Sequence, residues 1–579
     1  MKSRNNVRKL TILAQDPSVR IGGRLALAQV DVPHEEFSEG PTGYRVKVVD
    51  FDATSNVLYS PRQYGRDSES ELVDPFAPPI GKRSKKAMQK WENALLSDPT
   101  FHAQNVYAIV MRTLARFEYA LGRRVPWGFS GHQLHLAPHA FHEANAFYSE
   151  QDRALFFGYF KSPRSGKPVF TSLSHDIVAH ETTHALLDGL RDAFTDPSTP
   201  DQAAFHEGFS DVVALLSIFS LPEIVEVALT KGNAPFRTHD GIRLAPAEYF
   251  DQQALADSIL FGLGKEIGRE IEENRADCLR RSISLKPSRE YLQSEEYWEP
   301  HDRGEVFAAA MLRSFLTLWN KRIHGLGTFG RGTYNLDLVI EEGAKAADHL
   351  LTMAIRALDY CPPVDLAFGD YLAGLLTADS EAAPDDSRFQ YRKLILDTFS
   401  SYGIDPPKIH TEEGTGCWKQ FDRNDRIIYT KTHYDSMLHD PEEVFRFVWE
   451  NREPLEIDER GYTRIASVRP STRQGPDGFM LRETVVEYRQ IAHIFGAEAA
   501  ILGIKMPKGM TTRQSITAYG GGTLIFDQYG RIKYHIAHGL GDGDRQTARL
   551  AYLWQTGQLD TPRDTRNQFA MIHRNRLHI

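Results

Sequence analysis

The sequence predicts an α+β fold, and three observations support this class. Short strand-like runs separated by Gly, Pro and Asn fill the first 60 residues and recur between residues 133 and 170. Residues 207–404 instead show mostly helical patterning with long apolar runs. The chain has 579 residues, 41% of them hydrophobic, which is enough for a large core and two or three domains.

Residues 1–100 are predicted to form a β-rich N-terminal extension that ends in a linker. Residues 60–86 are rich in Pro and charged side chains, which is typical of a linker, and a helix is expected near residues 101–121. The strand-like runs of the extension lie at residues 25–30, 44–49 and 57–59.

A predicted helix around residue 180 carries the pattern His180-Glu181-x-x-His184. Residues four apart share one face of a helix, so both histidines can reach one metal ion. Neutral imidazole is a common Zn²⁺ ligand, and a carboxylate beside a Zn²⁺-bound water is the general base that hydrolysis requires. The pattern therefore predicts a Zn²⁺ site with His180 and His184 as ligands and Glu181 as the base.

A catalytic Zn²⁺ site needs a third protein ligand and one open position. The metzincin arrangement would require Gly at position 187 and His at position 190, but both positions hold leucine. A second predicted helix, opened by Pro200, carries Glu207 and Asp211 four residues apart on one face. Buried carboxylates need partners. We therefore predict that Glu207 is the third ligand and that Asp211 accepts the outer N–H of a Zn²⁺-bound histidine.

Simpler explanations of these residues stay open at this point. The His-Glu-x-x-His spacing arises by chance at about the few-per-cent level in a chain of this length. The two histidines could be hydrogen-bonded core residues, and Glu207 with Asp211 could form an exposed acidic stripe. His206 is a rival third ligand, although it points about 100° away from the face that Glu207 and Asp211 share.

The two motifs together, His180-Glu181-x-x-His184 and Glu207-x-x-x-Asp211, resemble the gluzincin pattern and in particular the thermolysin-like metallopeptidases. Residues 176–185 resemble the helix core of that family nearly residue for residue, and residues 145–158 resemble its edge strand and the strand after it. The likeness covers roughly residues 105–404. It implies a two-lobed catalytic domain over residues 101–404, with a β-rich lobe, the zinc-site helices and a mostly helical lobe.

The resemblance also implies roles for residues around the metal. Asn145 and Ala146 match the edge-strand residues that bind the substrate backbone by strand addition. Arg281 matches the arginine that contacts the substrate carbonyl on the leaving-group side. His301 matches the histidine that stabilises the transition state, and Glu296 falls where the family places the acid that orients it.

The chain departs from the family pattern in two places. A Tyr that helps to hold the transition state usually lies between the two zinc helices, but residues 185–206 contain none. Either Phe194 fills this space without a hydroxyl or a donor comes from elsewhere. Asp176 matches one acid of the family's calcium site, whereas Ile218 stands where another acid is expected. Because calcium needs six or more oxygen ligands, we expect one Zn²⁺ ion and no calcium at the family's usual double site.

Residues 405–579 lie outside the resemblance and are predicted to form an α+β domain of unknown role. Residues 482–504 are expected to contain a helix. Gln528-Tyr529-Gly530 is a turn that joins two strands in a hairpin. The expected strands lie at residues 466–468, 515–519, 523–526 and 532–535.

Composition limits the partners and the compartment. The net charge of −9 and a pI of about 6.2 give no reason to expect nucleic acid as a partner. No stretch reaches the ~18 apolar residues of a membrane span. Cys278, Cys361 and Cys417 are widely spaced and odd in number, which argues against a disulfide framework. No signal peptide or propeptide is visible, so we expect a cytoplasmic protein, with leaderless export as the alternative.

The sequence thus predicts a zinc-dependent metallopeptidase that acts on a peptide or protein substrate, with Glu181 as general base and His301 stabilising the transition state. Two alternatives stay open. An aminopeptidase of the gluzincin clan would carry the same paired helices, although no acid-rich motif near Asn145 would bind a free amine. A catalytically weak or inactive scaffold, which binds a partner through its C-terminal domain, is the second alternative. The sequence does not predict the oligomeric state.

Overall fold

Strands and helices are both abundant in the computed structural model of the protein, which confirms the predicted α+β class. The structure describes residues 7–35, 40–65, 73–81, 83–163, 166–231, 236–259, 282–330, 332–475 and 478–559. The strands are β1 (Val7–Leu13), β2 (Arg20–Ile21), β3 (Arg24–Leu25), β4 (Leu27–Pro33), β5 (Val46–Val48), β6 (Phe51–Asp52), β7 (Val57–Leu58), β8 (Leu134–Phe141), β9 (Ala146–Ser149), β10 (Ala154–Lys161), β11 (Pro168–Phe170), β12 (Arg237–His239), β13 (Ile242–Pro246), β14 (Thr333–Asn335), β15 (Tyr462–Gln474), β16 (Met480–Phe495), β17 (Ser515–Asp527) and β18 (Ile532–His538). The α-helices are α1 (Lys85–Leu96), α2 (Pro99–Leu121), α3 (His175–Leu190), α4 (Pro200–Phe219), α5 (Pro222–Lys231), α6 (Gln252–Ile259), α7 (Pro300–His324), α8 (Leu336–Ala357), α9 (Phe368–Ala382), α10 (Tyr391–Ser401), α11 (Tyr434–Met437), α12 (Pro441–Glu450) and α13 (Gly543–Gln555).

A five-stranded mixed sheet forms the framework of the N-terminal half. β8 pairs in parallel with β5 and β10, and β10 pairs antiparallel with β9 and β11 along its other edge. Helix α2 begins where expected, because Asp98 caps it through the Thr100 N–H and Pro99 suits its first turn. The antiparallel pair of β1 and β4 places Leu10 and Val30 in the same hydrophobic core as α2. Residues on both sides of position 100, where the domain boundary is predicted, therefore share one hydrophobic core.

Helix α4 runs through the middle of the helical region and packs against α3, α7 and α8. Its second half is apolar and buried, which explains why it lies inside the core. Within the described ranges, no single helix is long and apolar enough to cross a membrane. The pair Pro200–Phe219 and Pro222–Thr230, bent by 84°, meets that criterion together by length and composition alone.

The C-terminal region is built on one antiparallel sheet in the order β15-β16-β17-β18. Helix α12 packs through Val444 and Phe447 against the strands, and α13 packs through Leu550 against a second small core. The predicted hairpin at Gln528-Tyr529-Gly530 is present between β17 and β18. This region is α+β, as expected.

Two local predictions in the C-terminal region differ from the structure. The helix expected within residues 482–504 is only the short 3₁₀ helix Gly496–Leu502, because residues 482–495 belong to strand β16. The runs 515–519 and 523–526 form one continuous strand, β17, rather than two. Glycines at 520–522 lie between the two runs. Larger residues do not fit there, because a Cβ on Gly520 would meet the Leu540 backbone at 2.6 Å and one on Gly522 would meet the Tyr488 hydroxyl at 2.7 Å.

Candidate metal centre

Helix α3 presents both motif histidines to one point. His180 and His184 are 6% and 3% exposed, and their Nε2 atoms lie 2.9 Å apart. The two rings are nearly perpendicular, with an interplanar angle of 81°, and they approach each other through these nitrogens. Two facing imidazole nitrogens at this distance need a shared proton or a cation between them, because two lone pairs would repel.

Helix α4 brings a carboxylate to the same point. Thr199 caps the helix by accepting the Gln202 N–H. Oε2 of Glu207 lies 3.4 Å from Nε2 of His180, and Oε1 lies 3.7 Å from Nε2 of His184. Ligand atoms around a tetrahedral Zn²⁺ ion are separated by about 3.3–3.6 Å, given bonds of about 2.0–2.2 Å. The buried group formed by His180, His184 and Glu207, which we call the metal group, could therefore hold a metal ion.

The outer nitrogen of each histidine is held by a different side chain. Nδ1 of His180 lies 2.8 Å from Oδ1 of Asp211, the contact predicted for this acid. Donation of Nδ1–H to Asp211 leaves a lone pair on Nε2, which is the form that binds a metal.

His206 lies behind His184 and is not one of the three grouped ligands. The two Nδ1 atoms are 2.6 Å apart, and the ring planes are within 7° of parallel with centroids 4.6 Å apart. When His206 accepts this hydrogen bond, His184 also directs a lone pair at Nε2 towards Glu207. The His206 ring thus contacts His184 and is not part of the group that could hold a metal ion.

Glu181 lies beside the metal group on α3 and is fully buried. Its Oε2 accepts the backbone N–H of Tyr148 at 3.1 Å, which ties α3 to strand β9. The Tyr148 hydroxyl donates to Oδ2 of Asp188 at 2.8 Å, one turn beyond His184. Strand β9 is thus fixed to the motif helix at two points.

His301 enters the site from the first turn of α7. Its Nε2 lies 3.5 Å from Oε2 of Glu207, and its Nδ1 lies 2.8 Å from Oε1 of Glu299. The acid that contacts this histidine is Glu299, whereas Glu296, the residue expected there, lies in the exposed 3₁₀ turn Glu295–Trp298. Helix α7 begins at Pro300, so Glu299 is its N-cap residue, and that position brings its carboxylate next to His301.

The predicted substrate-binding residues are only partly described. Ala146 opens strand β9, and Oδ1 of Asn145 accepts the Ala146 N–H at 2.9 Å. The Asn145 carbonyl accepts the Gly158 N–H at 2.8 Å, so this residue shapes the turn into β9. Arg281 lies outside the described residues. The substrate contacts of all three stay predictions.

Two further sequence expectations concern Phe194 and the calcium site. Phe194 is fully buried and packs edge-on against Phe205 with centroids 5.7 Å apart, so it brings no hydroxyl to the site. Ile218 is fully buried in the apolar half of α4. Asp176 accepts the Ser174 hydroxyl at 2.7 Å and the Ile177 N–H at 3.0 Å.

Neither comparison with known proteins adds a relative. No protein-family model matches the chain, and no curated protein matches its sequence.

Proposed function

We propose that this protein is a zinc-dependent metallopeptidase. The observation that carries the proposal is the buried group of His180, His184 and Glu207, with Glu181 next to it and His301 across from it. Two imidazole nitrogens and one carboxylate are the ligand set of many catalytic Zn²⁺ sites, and this set leaves one coordination position for water. Bound there, Zn²⁺ would polarise a peptide carbonyl and lower the pKa of its water.

Glu181 is the group that would handle the proton. It would accept a proton from the attacking water and deliver it to the amine that leaves. The Tyr148 N–H holds one of its oxygens, which fixes the carboxylate against the motif helix. Its complete burial excludes competing water and strengthens its interaction with a charged neighbour.

His301 is the group that would stabilise negative charge on the carbonyl oxygen. Its Nδ1–H is directed to Glu299, so its Nε2 faces the metal group. A protonated imidazole held in this way is a pre-oriented donor, and removing such a donor typically lowers turnover by about 10²–10³.

We extend the proposal to the thermolysin-like arrangement of two lobes. Helix α3 contacts strand β9 on one side and the helices through α4 on the other, which supports a β-rich lobe and a helical lobe that meet at the zinc helices. In this arrangement Asn145 and Ala146 would bind the substrate backbone next to Glu181.

One observation favours the weaker alternative, a scaffold with little or no catalysis. Phe194 lies in the segment where the family pattern carries a Tyr, and it is buried without a hydroxyl. If no other donor takes that role, the catalytic rate falls although the metal still binds.

The test compares the wild type with Glu181→Gln. We expect both proteins to bind one Zn²⁺ per chain by elemental analysis, and only the wild type to cleave casein or a blocked, internally quenched peptide. Glu341→Gln, an exposed substitution on α8, is the control and should leave cleavage unchanged.

Other outcomes would select another function. Stoichiometric zinc with equal cleavage by wild type and Glu181→Gln, or with no cleavage by either, would favour the scaffold. Cleavage restricted to peptides with a free N-terminus would favour the aminopeptidase.

A further inference from the structure

Side chains of the C-terminal sheet hold the end of the motif helix. The carbonyl of Leu190, the last residue of α3, accepts Nη1 of Arg469 at 2.6 Å. The last carbonyls of a helix have no partner within the helix, and a cation there also suits the negative end of its dipole. Arg469 lies on β15, 279 residues further along the chain. The end of α3 is thus satisfied from the C-terminal domain.

The next two residues make ion pairs with the same sheet. Arg191 is 2% exposed, and its Nη1 lies 3.1 Å from Oε2 of Glu487 on β16. Asp192 pairs with Arg489, whose Nη2 also lies 2.6 Å from Oε1 of Glu487. Glu487 is therefore shared between an arginine at the end of α3 and an arginine of its own strand.

Glu487 is ionised in this environment. Burial alone would raise its pKa, but Arg489, Arg191 and Arg469 hold the pKa below its usual value. Removing the charge of one member of such a buried network leaves the others uncompensated, which is strongly unfavourable. The contact therefore constrains where Arg191 can lie.

The position of Arg191 bears directly on the metal group. Two of the three grouped ligands, His180 and His184, are on α3, and Leu190 lies about 9 Å along the helix from His184 at 1.5 Å per residue. A small axial shift of α3 would move both histidines relative to Glu207 on α4. The nitrogen and oxygen atoms lie within 4.8 Å of one another, so such a shift alters the ligand geometry.

We propose that Glu487 is a positioning residue for the metal centre, acting through Arg191 and the end of α3. The inference rests on the zinc site of the proposed function. It gives the C-terminal domain a part in holding the site, which differs from the role of a separate binding module.

Glu483, four residues before Glu487 on the same strand, provides a matched control. Glu483 is 3% exposed and, like Glu487, is an ion-paired carboxylate of β16 at the contact with the helical region. Its partners are Arg473, Lys533 and the hydroxyl of Tyr360 rather than residues at the end of α3. Glu483→Gln therefore disturbs the same interface without touching the motif helix.

The experiment measures metal binding by the full chain. Zn²⁺ affinity is obtained by competition with a chelator, and the visible absorption of the Co²⁺-loaded protein reports ligand geometry. We expect Glu487→Gln to weaken Zn²⁺ binding about tenfold, the lower end of the range for changes behind metal ligands, and to alter the Co²⁺ spectrum. Glu483→Gln should lower the melting temperature but keep the wild-type affinity and spectrum.

A milder variant guards against misfolding. The side chain of Asp192 is 61% exposed, so Asp192→Asn should fold, and it should weaken Zn²⁺ binding about threefold through the loss of one ion pair. If Glu487→Gln does not fold, the Zn²⁺ affinity of Asp192→Asn is the test instead, and wild-type affinity in that variant would overturn the inference.

The outcomes separate the inference from the proposed function. Wild-type affinity and spectrum in the folded Glu487→Gln protein, or equal weakening by Glu483→Gln, would overturn the inference and leave the proposed function intact. A wild type that binds neither Zn²⁺ nor Co²⁺ would overturn both.

Discussion

Oε1 of Glu299 lies 2.8 Å from Nδ1 of His301, and Oε2 of the same carboxylate accepts the backbone N–H groups of His301 and Asp302 at 2.8 and 2.9 Å. One side chain therefore caps α7 and orients the ring that faces Glu207. The cap fixes the start of the helix, and the start of the helix fixes the approach of His301 to the metal group.

Replacing Glu299 by Gln should lower turnover by roughly tenfold, less than the loss of the His301 donor itself. The amide oxygen can still cap α7, so we expect the melting temperature to change little. The carboxylate that accepts Nδ1–H of His301 becomes an amide, a weaker acceptor, so the ring is held less firmly towards Glu207. Steady-state kinetics on the zinc-loaded variant measure the change in kcat.

Glu296→Gln is the matched control for Glu299→Gln. Glu296 is exposed and three residues earlier, so its neutralisation should leave kcat unchanged. A larger fall in kcat for Glu296→Gln than for Glu299→Gln would mean that the 2.8 Å contact between Glu299 and His301 does not orient the histidine.

Local spacing was sufficient to predict the residues of the metal group. The i, i+4 rule puts His180 and His184 on one face of α3 and puts Glu207 and Asp211 on one face of α4. The identity of the acid behind His301 depends instead on where α7 begins. Pro300 at the first helical position and a preceding acid were the available signal for Glu299.

The C-terminal sheet was harder to predict because its pairing is not local. Strand β16 pairs along its length with β15 and β17, and the partner of Tyr488 on β17 is Gly522. Nothing in the residues next to Tyr488 indicates these partners. Pairing with strands that are distant in sequence therefore overrides the helix propensity of residues 482–495. The ion pair between Arg191 and Glu487 joins positions 296 residues apart, so the sequence pattern does not reveal it either.

Asp211→Asn should weaken Zn²⁺ binding by about 10–100-fold, because the outer acid fixes the tautomer and raises the basicity of His180. Competition with a chelator measures the change. Asp397→Asn, at an exposed position on α10, provides the reference for a surface charge change. Equal affinity in Asp211→Asn and wild type would show that His180 does not need this partner to bind the metal.

Acid should destabilise the metal-free protein between about pH 6.5 and pH 3. Burial lowers the pKa of His102 and of His175 to about 3, and that of His535 to about 4. These rings stay neutral in the folded chain, whereas the unfolded chain binds protons below pH 6.5. Stability contributed by each neutral ring is thus present above pH 6.5 and is lost as the pH falls, with a slope of at most about 1.4 kcal/mol per pH unit for each ring.

His175→Gln tests this account of acid sensitivity. The urea midpoint, measured in EDTA at several pH values, should fall less steeply with acid in the variant than in the wild type. The absolute midpoint at pH 7 is not the test, because the variant also changes the contact with the Ser217 hydroxyl. Parallel pH dependences of the two proteins would contradict the assignment.

Helices α4 and α7 touch at Gly208 and Gly304, and this contact sets the distance between Glu207 and His301. A Cβ on Gly304 would lie 2.9 Å from the backbone nitrogen of Gly208, so Gly304→Ala must push the helices apart. Overpacking of this kind costs about 1–3 kcal/mol, partly offset by the higher helix propensity of Ala. We expect a lower melting temperature and a larger fall in kcat than in zinc affinity. His301 would move, whereas His180 and His184 would keep their positions on α3.

Gly374→Ala on α9 is the control for Gly304→Ala. A Cβ there would meet the Tyr360 carbonyl at 2.8 Å, a backbone clash similar in size but outside the α4–α7 contact. It should lower the melting temperature and leave the kcat of the folded, zinc-loaded protein unchanged. If both alanine variants lose kcat in proportion to their loss of melting temperature, the effect of Gly304→Ala is one of general stability. A loss of kcat confined to Gly304→Ala would show that the close approach of the two helices holds His301 at its distance from Glu207.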